Sequence, residues 1–333
     1  MILHPSILAL FISSLLISLM TLYACGYGIL ILRRWDISSG SELQVTLERR
    51  TYLISTIISY FLVFQLVSLF LFIQTADSIS HLFVGAMCAV GTLTANQFGY
   101  PTLALKTLTF LAAGGWLILN HADSRGYDYP LIRPKYLLLL CMAPLVLAET
   151  VLQAVYFLRL KPDIITSCCG ALFSQASRGI AAEIAALPAG PMQVAFCCSL
   201  ALVTASGVYF CARGRGALLF AVASTVNFPL TLAAMVSFIS LYIYEMPSHH
   251  CPFCILQKEY GHVGYPLYAL LLTSTVTGLG VGMLHPFRNR ESLKQLLPKM
   301  QKGLAVVSIL SILSFACIVI YQILSTSFRL DGY

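Results

Sequence analysis

The run His249-His250-Cys251-Pro252-Phe253-Cys254-Ile255-Leu256-Gln257-Lys258 sets two thiols three positions apart, behind two imidazoles and ahead of an ammonium group. A Cys-x-x-Cys pair of this kind can cycle between dithiol and disulfide, provided one sulfur is available as a thiolate. With His249 and His250, Cys251 and Cys254 can instead hold a soft metal ion, because thiolate sulfur and imidazole nitrogen are ligands that such ions prefer. The plainest use of the same thiols is a disulfide that staples loops. Pro252 suits the first position of a helix, where its missing N–H has no intrahelical partner to lose. The spacing therefore predicts a short helix capped by Cys251, with its dipole favouring the thiolate of that residue. Cys254 at i+3 and Lys258 at i+7 would share its face. Gly261, Gly264 and Pro266 would end it before the next apolar segment.

Three more cysteines, Cys88, Cys168 and Cys169, lie in or beside loops. Neighbouring Cα atoms are ~3.8 Å apart, below the roughly 4.4–6.8 Å usual for a disulfide. A Cys168–Cys169 bridge would thus be strained, and a bridge from either to Cys88, Cys251 or Cys254 is sterically easier. The vicinal pair could also take a soft ion such as Cu(I) or Hg(II), and it resembles the vicinal cysteines of mercury-uptake membrane proteins. Cys25, Cys141, Cys197, Cys198, Cys211 and Cys317 fall inside apolar segments, where a thiol serves as a small packing residue.

The elements that must position these groups belong in a bilayer. Hydrophobic residues make up 58% of the 333 and charged residues 10%, with a mean hydropathy of +0.84. A water-soluble domain carries about a quarter charged residues. The net charge of +7 does not point to nucleic acid, because the cations sit in short loops and no basic-aromatic stripe accompanies them. Eight segments are apolar over about 20 residues, the length needed to span: 6–32, 51–74, 101–119, 136–158, 191–211, 217–244, 266–284 and 304–325. An all-helical polytopic bundle forming a single integral membrane domain follows.

Fourteen of the 20 Lys and Arg residues fall in alternate loops, from Arg33, Arg34, Arg49 and Arg50 to Lys299 and Lys302. The positive-inside bias then sets both termini on the extracytoplasmic side, with all five loop cysteines facing an oxidising compartment. The stretch 36–50 reads as a short interfacial helix or loop, and the apolar stretch 75–100 as a re-entrant or interface-lying helix. Glu149 falls two-thirds of the way along the fourth span. A carboxylate there faces an interior partner, either as a structural contact or as a proton relay. Lys106 reads as a snorkelling side chain near the outer boundary. Asn227-Phe228-Pro229 predicts a kink in the sixth span, and Tyr260, Tyr265 and Tyr268 an interfacial aromatic belt.

The segment from Cys251 to Lys258 resembles the Cys-Pro-x-Cys-Ile-x-Gln-Arg signature of the bacterial quinone-linked disulfide oxidoreductases, the DsbB family. The related vitamin K epoxide reductases use a comparable Cys-x-x-Cys at a membrane boundary. The likeness covers eight residues, with lysine in place of the planar arginine fork and eight spans in place of four. It implies that Cys251 and Cys254 pass electrons to a bound quinone. Lys258 would touch that quinone, with Gln257, His250 and Glu149 as further residues about it. It also implies that a second outer pair, Cys168 and Cys169 with Cys88 in reserve, exchanges with an extracytoplasmic thioredoxin-fold protein. The expected setting is a bacterial inner membrane. The alternatives are a soft-metal (Cu, Hg or Zn) transport or binding protein, and a non-catalytic subunit of a larger membrane complex.

Overall fold

The computed structural model describes residues 4–161, 166, 180–185 and 187–330. Every regular element among them is helical. The helices are α1 (Pro5–Arg34), α2 (Glu42–Ser78), α3 (Ala89–Thr94), α4 (Gly99–Asp123), α5 (Ile132–Leu158), α6 (Ile180–Ala185), α7 (Ala189–Arg213), α8 (Ala217–Ala234), α9 (Ser240–Tyr244), α10 (Gly264–Leu284) and α11 (Leu296–Ser325). A π-helical turn, Met235–Ile239, joins α8 to α9 without a break. Eight of the resulting helices are long and apolar enough to cross a membrane, and they coincide with the eight segments read from the sequence.

The boundaries depart from expectation chiefly at two helix starts, α11 beginning at Leu296 instead of 304 and α2 at Glu42 instead of 51. Residues 42–50 are the first turns of α2 and not a separate interfacial element. The reason is local: the Ser41 hydroxyl accepts from the Gln44 amide (3.3 Å), as an N-cap does, and the Gln44 side chain donates to Glu48 (2.8 Å). Of the stretch 75–100, only the short α3 and a single 3-10 turn at Ser80–Leu82 are helical between the ends of α2 and α4. Pro229 lies inside α8, and the irregularity in that span comes six residues later, as the π turn.

The chain divides into two compact units. The first comprises residues 1–75, 96–161 and 286–300. Within it α1 and α4 both pack on α5, around a core that includes Leu62, Trp116, Tyr136 and Leu139. A Cβ on Gly28 would come within 3.0 Å of the Tyr136 ring, so the glycine lets α1 lie close on α5. Two buried ion pairs tie α4 to α5 with opposite polarity: Lys106 to Glu149 (2.7 Å) and Lys135 to Asp123 (2.6 Å). Lys106 is 1% exposed. It does not snorkel, because Glu149 and the Ser68 hydroxyl (2.7 Å) satisfy its ammonium inside the unit, with the Phe72 ring 5.5 Å away. Lys135, one of the fourteen cations assigned to loops by the sequence, is likewise buried and lies in the first turn of α5.

The second unit comprises residues 76–95, 162–285 and 301–333. Here α8 packs against both α7 and α10. Small residues set the spacing. Gly278 and Gly282 of α10 face Ser224 and Ala221 of α8, where an added Cβ would meet the opposing Cβ at 2.5 Å. Ser274 and Ser308 join α10 to α11 through their hydroxyls (3.1 Å) and each other's carbonyls. Close approach through small residues and interhelical hydroxyls is how helices associate where lipid removes the hydrophobic drive. Large apolar side chains stay on the outside of both units, among them Leu19, Phe64, Val222 and Leu310.

Candidate functional site

Three thiols from two distant segments meet in the second unit. Cys88 comes from the stretch after α2, and Cys251 and Cys254 from the stretch after α9. Their sulfurs all lie within 4.8 Å of one another. Cys88 Sγ and Cys251 Sγ are 3.7 Å apart, well beyond the ~2.05 Å of a covalent bond between sulfurs. Cys88 and Cys251 are fully buried and Cys254 is 4% exposed. Cys168 and Cys169 lie outside the described residues.

The loop that carries Cys251 and Cys254 does not form the expected helix. Tyr244 donates its hydroxyl to the Cys251 carbonyl (2.5 Å) and Tyr268 donates to the Pro252 carbonyl (2.6 Å). Two acceptors that would have served an α-helical turn are therefore already engaged from outside. The backbone closes instead as two 3-10 turns, Cys254–Leu256 and Lys258–Tyr260, separated by the extended Gln257. Cys251 is thus no helix cap, and the expected dipole stabilisation of its thiolate is absent. Lys258 no longer shares a face with the thiols and is exposed.

Gln257 acts as a bridge between the two sulfur-bearing segments. Its side-chain amide donates to the Met87 carbonyl (2.7 Å), next to Cys88, and to Asp77 (3.2 Å). Asp77 also accepts from the Ala89 amide (3.1 Å), immediately after Cys88. An acidic residue in the last turn of α2 opposes the helix dipole, and its use as a tether for the next segment accounts for its position. Thr166, two residues before Cys168 in sequence, donates its amide to the Val84 carbonyl (2.9 Å). Gly85 permits that contact: its φ is +86°, and a Cβ there would sit 2.5 Å from the Thr166 carbonyl oxygen.

The histidines flank the cluster. His250 Nδ1 lies 2.9 Å from the Val236 carbonyl in the π turn. A carbonyl only accepts, so Nδ1 carries the proton in this bond. His249 packs edge-on against Tyr244 (4.4 Å), and its Nε2 is buried with no hydrogen-bond partner among the described residues. Burial lowers the His249 pKa below the usual histidine value, His250 lowers it further, and Cys88 opposes both. Burial likewise raises the Tyr260 hydroxyl, helped by Cys254.

Glu149, expected as a possible relay, sits in the first unit. There it binds Lys106, Gln65 (2.6 Å) and Thr109. Of the thiols expected inside spans, only Cys25 is buried; Cys141, Cys197, Cys198 and Cys317 are exposed on the apolar exterior. The motif did not single out Tyr244, Asp77 or the π turn, and Tyr268 read only as a belt residue. The acid at the end of an apolar helix was the one local signal available for any of them. No protein-family model, no curated protein and no solved structure matches the chain.

Proposed function

We propose that this protein is an integral membrane thiol–disulfide oxidoreductase that moves electrons between extracytoplasmic thiols and a membrane quinone. The observation that carries the reading is the convergence of Cys88, Cys251 and Cys254, with the closest sulfur pair 3.7 Å apart. Closing that pair to a disulfide needs an approach of about 1.7 Å, within the range of side-chain rotation. The step is a two-electron exchange. Two thiols become one disulfide, and their two electrons and two protons reduce the quinone to its quinol; the reverse reaction runs the opposite way.

Burial divides the labour. Thiols that are at most 4% exposed are out of direct reach of a soluble thioredoxin-fold partner. Cys168 and Cys169 are the candidates for that outward exchange. Thr166, two residues before Cys168 in sequence, is anchored at Val84. A groove of about 260 Å³ in the second unit, lined by Phe196, Phe238, Tyr242 and Val319 among others, is a candidate quinone seat. Gln193, Tyr242 and Ile323 place it at the ends of α7, α9 and α11 nearest the cysteine-bearing loops. Its size, near the lower end of small-molecule sites, suits a ring more than an isoprenoid tail. An extracytoplasmic face for this end, and a bacterial inner membrane, complete the reading on the strength of the basic-residue asymmetry.

The test is differential alkylation with mass spectrometry on the reduced, detergent-solubilised protein, with and without a short-chain quinone. Cys88 and Cys251 are expected to become resistant to alkylation when quinone is added and to recover with reductant. An alkylation pattern that quinone leaves unchanged would remove the reading. Ala316→Phe, which fills the groove, should weaken the dependence on quinone concentration about tenfold while leaving oxidation by diamide intact.

A further inference from the structure

The reduced sulfur cluster has a second use that the redox reading does not require. Two donors bound to one ion at ~2.3 Å are about 3.8 Å apart at a tetrahedral angle and about 4.0 Å apart at a trigonal one. Cys88 and Cys251 stand at 3.7 Å, and Cys254 lies within 4.8 Å of both. The three donors are therefore already spaced for a shared ion and need only small adjustments. All three are soft sulfurs in a buried setting, and no described His, Asp or Glu joins them at that radius. The histidines that the motif offered as ligands stand outside that radius, where His250 donates to the Val236 carbonyl and His249 packs on Tyr244. Three thiolates without a hard or borderline donor favour Cu(I) over Zn(II), which takes four ligands and commonly includes nitrogen.

We infer that Cys88, Cys251 and Cys254 in their reduced form constitute a Cu(I) site. Binding displaces thiol protons to solvent and changes no oxidation state. Occupancy and disulfide formation are mutually exclusive, because a disulfide uses up two of the three anionic donors. The ion therefore shields the thiols from oxidation, and oxidation releases the ion. The inference depends on the thiols alone and holds whether or not a quinone is the oxidant.

The experiment is an anaerobic titration of the full-length protein, reduced with a phosphine and held in detergent micelles, with Cu(I) against a chromophoric Cu(I) chelator. One equivalent should be retained, and X-ray absorption should report three sulfur neighbours and no nitrogen. Cys88→Ser and Cys254→Ser should each weaken retention by more than about 100-fold, beyond the 10–100-fold typical of losing an outer partner of a metal ligand. Cys141→Ser, at a thiol on the apolar exterior of the first unit, should leave it unchanged. Prior treatment with diamide should abolish retention. Full retention in Cys88→Ser would overturn the assignment, as would a coordination shell of two sulfurs or one containing nitrogen, or displacement of Cu(I) by equimolar Zn(II). Because the absorption measurement uses the unaltered protein, a variant that fails to fold leaves the assignment open to refutation. If copper is not retained while alkylation still reports quinone-dependent oxidation, the metal site fails and the redox reading stands.

Discussion

The two units of this protein use opposite means to hold their helices. In the first, α4 and α5 are tied by two buried ion pairs, Lys106–Glu149 and Asp123–Lys135, each supported by neutral partners such as Ser68, Gln65 and Asn120. In the second there is no ion pair among the described residues, and contact is made through Gly278, Gly282, Ser224 and the Ser274–Ser308 pair. The described thiol cluster belongs to the second unit. Buried charge is a strong field in a low-dielectric interior, and in the second unit the acid bonded beside the sulfurs is the half-buried Asp77, held by the Ala89 amide and Gln257. The first unit reads as a scaffold whose polar side chains satisfy one another, and the second as the one equipped for chemistry.

The largest expected effect breaks the scaffold side of this contrast. Lys106→Met alone strands the Glu149 carboxylate and should destabilise the protein by about 3–5 kcal/mol, seen as earlier thermal unfolding in micelles. Adding Glu149→Leu should restore most of the loss, since replacing a whole buried pair by apolar groups is often neutral or stabilising. The same double variant decides the role of Glu149: quinone-dependent thiol oxidation should be unchanged if the residue is structural, and a large loss would restore it as a proton relay.

On the other side, Gly278→Ala should cost about 1–3 kcal/mol by overpacking α10 against α8. Ser224→Gly should relieve part of that cost, because it removes the atoms the new methyl meets. A comparable effect is expected from Tyr244→Phe, which removes the hydroxyl that donates to the buried Cys251 carbonyl, at about 1–3 kcal/mol. Gln257→Leu should cost about 1 kcal/mol in stability, yet it should slow Cys88–Cys251 cross-linking by diamide more than Tyr244→Phe does, because Gln257 bonds directly to the Met87 carbonyl beside Cys88.

The smallest effect is a pH dependence. The folded His249 is held below its unfolded value of ~6.5, so the unfolded chain binds more protons as pH falls past that value. The contribution of His249 to stability is then full above about pH 6.5 and declines as pH drops toward its folded pKa. His249→Gln should flatten this part of a melting-temperature profile between about pH 5 and 7; an unaltered slope would assign it to other groups.

Much of this architecture was legible along the chain. The eight spans follow from runs of apolar residues, because an unpaired backbone cannot cross lipid and a continuous helix is the local solution. That Cys251 and Cys254 matter was also readable, since their spacing is local. What resisted reading was each feature that depends on a partner remote in sequence. The expected helix after Cys251 failed because Tyr244 and Tyr268 claim the carbonyls it needed. Lys106 looked like a boundary cation because Glu149, 43 positions away, was not visible as its partner. Cys88 stood in reserve although its sulfur is the one 3.7 Å from Cys251.

The sequence by itself determined that the chain enters a membrane, how many times it is apolar enough to cross, and which residues could act as thiols. Hydrophobicity and helix length are properties of contiguous residues, and contiguous residues are what a sequence displays. Only the tertiary structure decided which thiols meet, which histidine nitrogen is occupied, and that Gln257 spans the gap between two cysteine-bearing segments. Those outcomes rest on contacts between positions up to 180 residues apart, and no local periodicity encodes them.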